Sequence, residues 1–192
     1  MNKRVVIVAA LAAAAAALFG VQTRAADAAP EASQPPALRG GFREISWDDL
    51  VPADWDPLKG LREKNLGMLS DSSPQALQFM RDMRDIWDNA PTVPAMNGAA
   101  VKLPGYVVPL EEVKGELKEF LLVPYFGACI HSPPPPANQI VHVVAAKPVK
   151  GFRSMDTVWV SGTLATTRQD SHMGVSGYTM QASVVDRYVS RP

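Results

Sequence analysis

The sequence predicts a mainly β fold of the α+β class, in which a small five-stranded antiparallel barrel carries one capping helix. Three observations lead there. From residue 100 onward, short segments rich in β-branched and aromatic residues alternate with turn residues at close intervals. No long helical stretch separates them, which argues against a parallel βαβ sheet. Upstream, a single stretch repeats apolar residues at helical spacing.

Taken in chain order, Asn2-Lys3-Arg4 precede an apolar run from Val5 to Val21, with Thr23-Arg24-Ala25 or Ala26-Asp27-Ala28 as small-residue exits. This is the layout of a secretory signal peptide over residues 1–25. The run also approaches the lower limit for spanning a bilayer, so an uncleaved anchor is the competing reading. Cleavage removes three basic residues, leaves the mature chain mildly acidic and places it in the periplasm, without stable membrane insertion. Residues 26–41, rich in Ala, Pro, Gly and Ser without periodicity, read as a flexible tether to a single globular domain over 42–192. Trp47 and Trp55 flank a short acidic turn and are expected to anchor an irregular segment onto that domain.

A helix is expected over about 74–89. Ser73 suits the N-cap, Pro74 the first turn, and Leu77, Met80, Met83, Ile86 and Trp87 recur at intervals of three and four. Asn89-Ala90-Pro91 ends it, because proline restricts the residue before it. Strands follow at roughly Val101–Val108, Lys118–Val123, Gln139–Ala145, Thr157–Leu164 and Tyr178–Tyr188. Five strands in a meander or Greek key suit a partly open barrel of the oligonucleotide/oligosaccharide-binding (OB) type, with a β-sandwich or roll as the alternative.

Composition narrows function. The 192-residue chain balances 19 Lys and Arg against 19 Asp and Glu, which removes the basic footprint of a nucleic-acid partner. The strands show no basic and aromatic platform for stacking bases or sugars. One cysteine excludes an intramolecular disulfide, a four-cysteine zinc site or an iron–sulfur cluster within one subunit. In an oxidising compartment that lone Cys129 needs burial, a metal, an intermolecular disulfide or a redox role.

Cys129 and His131 sit in the most unusual stretch of the chain, Pro124-Tyr125-Phe126-Gly127-Ala128-Cys129-Ile130-His131-Ser132 followed by four prolines, Pro133 to Pro136, and Ala137-Asn138-Gln139. The prolines predict a stiff, extended, exposed connection between two strands. On an extended backbone Cys129 and His131 project to the same side, close enough to share a metal or a proton. Both donors suit zinc or copper, and His142, Asp170 and His172 are the candidates to complete the shell. A Cys129–His131 nucleophilic pair lacks an identifiable orienting group, so no complete catalytic constellation is present. A structural loop with its cysteine tucked inward also accounts for these residues.

The blocks Ile45-Ser46-Trp47-Asp48-Asp49-Leu50, Leu103-Pro104-Gly105-Tyr106-Val107-Val108-Pro109-Leu110, Phe120 to His131 and Asn138-Gln139 resemble an uncharacterised family, a domain of unknown function found in bacterial periplasmic proteins and lipoproteins. The resemblance covers most of the mature chain and carries no established catalytic residues. Members are often encoded beside ABC-transporter components, some with zinc supply. It therefore implies an accessory or binding role beside an ABC-transporter membrane component. This chain departs from the lipoprotein members in having no lipid-accepting cysteine near the signal. Two expectations follow: a transition-metal binder, zinc or copper, through Cys129 and His131, or a non-metal module docking a membrane partner through Tyr125, Phe126, Pro133, Pro134, Pro135, Pro136, Asn138 and Gln139.

Overall fold

Alternating inward apolar side chains on five strands close a barrel. The computed structural model describes residues 38–39, 41–59, 73–129 and 134–189. These belong to one compact unit, Pro35–Pro192. The expected signal peptide over residues 1–25 lies outside the described residues. Within the expected tether, Leu38–Arg39 forms a strand, β1, paired with β2 (Phe42–Glu44), and β2 runs parallel to the start of β3 (Ala100–Val113).

The barrel strands are β3 (Ala100–Val113), β4 (Glu116–Val123), β5 (Val141–Val149), β6 (Thr157–Ala165) and β9 (Tyr178–Arg187). Their order around the ring is β3-β4-β5-β9-β6, and β6 returns to β3. The expected OB-like barrel with a helix at its side is present, but it is mixed rather than antiparallel. β5 and β9 run parallel, with Val141 opposite Tyr178 and Ala145 opposite Ala182. The reason is one of parity. A closed ring with an odd number of strands cannot reverse direction at every step, so at least one neighbouring pair must be parallel.

The interior is filled by Val101, Leu103 and Val107 of β3, Phe120 and Leu122 of β4, Val141 and Val143 of β5, Val158, Val160 and Leu164 of β6, and Tyr178 and Met180 of β9. Each such burial contributes about 1.5–3 kcal/mol. Close approach at the seams needs glycine at two places. A Cβ on Gly105 would stand 2.7 Å from Leu122 Cγ, and one on Gly162 would stand 2.2 Å from the Gln181 carbonyl oxygen, beside a register shift between Ser161 and Gly162.

Helix α1 (Pro74–Asp88) matches the expected span. Ser73 Oγ accepts from the Ala76 N–H at 3.1 Å, and the chain leaves the helix at Asn89. Its inward face differs from the expected stripe. Leu77 is 49% and Met80 62% exposed. Ala76, Phe79, Met83, Ile86 and Trp87 form the half-buried side instead. The spacing of three and four fits both stripes, and the packing of α1 beside the Gly174–Ser176 strand selects the second. No described helix is long and apolar enough to cross a membrane.

The connection from β6 to β9 folds back as a hairpin, β7 (Gln169–Ser171) and β8 (Gly174–Ser176). Beyond the barrel interior, a second apolar cluster of Val108, Leu121, Val123, Ala128 and Ile140 forms on the outer side of β3 and β4. The 124–140 connection contributes Ala128 and Ile140 to it.

Candidate functional site

The outer face of β4 and β5 is where the candidate residues gather. Because Phe120 and Leu122 point inward, Glu119 and Leu121 point outward, and the register sets His142 opposite Leu121 and Glu119 opposite Val144. Glu119 and His142 are therefore diagonal neighbours on one face. Glu119 Oε2 lies 3.2 Å from His142 Nε2. The His142 side chain is 14% exposed, and its Nδ1 is buried without a hydrogen-bond partner. A hydrogen bond from Nε2–H to Glu119 leaves the lone pair on Nδ1.

These two residues line a cleft of about 440 Å³ with Glu111, Leu110, Leu121 and, from the β7–β8 connection, Asp170, His172 and Ser176. Three expected ligands, His142, Asp170 and His172, thus meet in one cleft. Asp170 Oδ1 accepts from Arg168 Nε at 3.1 Å, and Arg168 also donates to Asn89 Oδ1 and to the Asp88 carbonyl at the end of α1. Lys118 Nζ lies 3.2 Å from Glu111 Oε2 and 4.0 Å from Glu119 Oε1. The hairpin turn is held by Ser171 Oγ, which donates to the Gly174 carbonyl at 2.7 Å and accepts from Met173 N–H at 3.2 Å. Among the described residues, no three His, Cys, Asp or Glu side chains converge on one ion position.

Cys129 lies elsewhere on the same face. It packs against the outer apolar cluster, with Tyr106, Leu110, Met155 and Met173. Burial raises its thiol from 9.0 to about 11, against a smaller opposing pull from Arg84 of α1. Its backbone is left-handed, φ 65°, so the expected extended Cys-x-His geometry does not hold at this residue. His131 and Pro133 lie outside the described residues, as do Ile130 and Ser132.

The rest of the connection divides into an exposed and an inward part. Tyr125 and Phe126 are 45% and 66% exposed, and Phe126 meets Tyr106 edge to face with ring centroids 6.0 Å apart. The prolines are not the exposed rod expected: Pro135 is buried and Pro134 and Pro136 are half-buried. A Cβ on Gly174 would lie 3.0 Å from Pro134 Cβ, so the hairpin abuts them. Asn138 is fully buried, and its Nδ2 donates to the Pro91 carbonyl at 3.0 Å. Gln139 Nε2 donates to the Trp47 carbonyl at 2.9 Å. Asn138 and Gln139 hold other segments of the chain in place rather than facing solvent. Trp47 is itself fastened, Nε1 donating to the Pro104 carbonyl at 2.8 Å.

Sequence reading missed Glu119 and Glu111. Both are ordinary strand glutamates until register places one of them against His142. The signal available was alternation: a polar Glu119 beside inward Phe120, and His142 between Val141 and Val143.

No curated protein matches the chain. The profile of a family described as a protein of unknown function, DUF3299, matches residues 47–187. Among solved structures, the 2.45 Å crystal structure of a DUF3299 family protein from Pseudomonas aeruginosa PAO1 is similar with a TM-score of 0.62. It is 39% identical, and the match covers 80% of this chain and 100% of that one. A Leishmania major Friedlin chain assigned as an aspartyl-tRNA synthetase reaches a TM-score of 0.32 at 14% identity over 49% of this chain and 18% of that one, too slight to bear on fold or function. With the profile spanning the barrel, the helix and the cleft, the chain belongs to the DUF3299 family.

Proposed function

We propose that the protein is a periplasmic binding accessory of an ABC-type transport system, and that it takes a transition metal, zinc foremost, in the cleft beside β5. The carrying observation is His142. One ring nitrogen meets the Glu119 carboxylate while the other is buried and unpartnered, which is how metal-bound histidines are commonly oriented by a carboxylate behind them. His172 and Asp170, on the turn across the cleft, are the further ligands this reading recruits, and the ion draws the hairpin toward β5. Cys129 is the poorer zinc ligand of the expected set, since its thiol is held neutral in an apolar setting.

The test is zinc titration by calorimetry on the purified protein. His142→Ala and His172→Ala should abolish or severely weaken binding. Glu119→Gln should weaken it about 10–100-fold. Cys129→Ser should leave it unchanged. Zinc binding that is lost in Cys129→Ser and kept in His142→Ala would move the site to Cys129 and His131. No zinc binding at micromolar concentration would end the metal reading.

The second reading, a module docking a membrane partner through its proline-rich connection, is favoured by one observation: Tyr125 and Phe126 stand exposed at its start. Its surface consists of those aromatics, since Pro135, Asn138 and Gln139 are engaged inward.

A further inference from the structure

Three sulfur-bearing side chains pack against one outer apolar cluster. Of the five partly buried side chains around the outer apolar cluster, three are Cys129, Met155 and Met173. They come from separate parts of the chain. Met155 lies on the β5–β6 connection, pinned by its N–H donating to the Val107 carbonyl at 2.7 Å, and its Sδ accepts from the Gly127 N–H at 3.1 Å, two residues before Cys129. Met173 belongs to the β7–β8 turn, whose Gly174 adjoins Pro134 and Ile140. All three are half-buried, so packing does not seal them from a small ion.

We propose that Cys129, Met155 and Met173 form a copper(I) site, separate from the zinc cleft. Soft thiolate and thioether donors select Cu(I) over harder ions. Charge decides the matter further. Binding replaces the thiol proton with copper: the S–H bond breaks, an S–Cu bond forms and one proton leaves to solvent, with no change of oxidation state. The product, one thiolate, two neutral thioethers and Cu⁺, carries no net charge, which suits a surround of Val108, Leu121, Val123 and Ile140. Zinc on the same three donors would leave one positive charge there, near the Arg84 guanidinium that already acts on this thiol. Copper binding at these sulfurs is independent of zinc binding at His142.

The experiment is competition for Cu(I), kept reduced with ascorbate, between the purified protein and the chromophoric chelator bicinchoninate. One equivalent should be withdrawn from the chelator. Cys129→Ser should reduce affinity at least about a hundredfold, and Met155→Leu and Met173→Leu about tenfold each, with far-UV circular dichroism unchanged. His142→Ala should bind Cu(I) as the wild type does. X-ray absorption of the copper-loaded wild type should show a sulfur-only shell, a readout that needs no variant to fold. Methionine variants that bind like the wild type, nitrogen or oxygen in the copper shell, or no withdrawal from bicinchoninate would each overturn the proposal.

Discussion

Single side chains on the outer face of this barrel differ in what they can do because their surroundings differ. Cys129 and His142 share that face, but the thiol packs among hydrocarbon and sulfur while the imidazole sits against a carboxylate. For Cys129 the consequence is chemical reluctance. With the thiol pushed up to about 11, thiolate is scarce near neutrality. Alkylation by iodoacetamide at pH 7.5 should run roughly a hundredfold slower than for an unstructured cysteine peptide, with a rate that climbs until about pH 11. A plateau near pH 8.5 would show an ordinary exposed thiol. The sign for stability follows. A folded value above the unfolded 9.0 favours the protonated form, so this contribution is complete below pH 9 and is lost as pH rises from 9 to about 11. How the candidate ligands group was not legible at this scale. Alternation with the inward Val141 and Val143 sets His142 on the outer face, but its partner Glu119 lies 23 positions away in sequence and is chosen only by strand register.

At the level of elements, α1 shows both what local signals carry and where they stop. Its start is written in Ser73-Pro74, and removing the cap in Ser73→Ala should cost about 1 kcal/mol, read as a shift in thermal or urea midpoint. No change would mean that the helix is held by packing alone. Its inward face was misread because Leu77 and Met80 fit the period as well as Phe79 and Ala76 do. Only the neighbour it packs against separates them. Phe79→Ala should therefore destabilise by more than Met80→Ala, since Met80 is largely exposed. The proline-rich connection went the same way. Four prolines do stiffen a chain, but stiffness says nothing of exposure, and Ala137, Asn138 and Ile140 draw the end of the run inward. The β7–β8 hairpin left no trace in advance because its two strands are three residues each, too short for alternation to register.

On the scale of the whole molecule, the five barrel strands were readable and the direction of one pair was not. Periodicity sees strands singly; the parallel β5–β9 pair arises only when the ring shuts. Tyr178 ties the closed barrel to what precedes it. Its buried hydroxyl donates to the Leu50 carbonyl at 2.8 Å and accepts from the Val93 N–H at 2.7 Å. Tyr178→Phe strands both partners and should cost about 1–3 kcal/mol in urea unfolding, with the slope unchanged. A loss under 0.5 kcal/mol would mean that water replaces the hydroxyl. The position of β9 has a further consequence, in time rather than in space. This strand, Tyr178–Arg187, lies between β5 and β6 and supplies both of their missing edges. A chain growing from its N-terminus therefore has no ring to close until β9 emerges. Until then β5 and β6 offer unpaired backbone to any passing strand. Closure of this barrel waits, in effect, for the last of its five strands to be made.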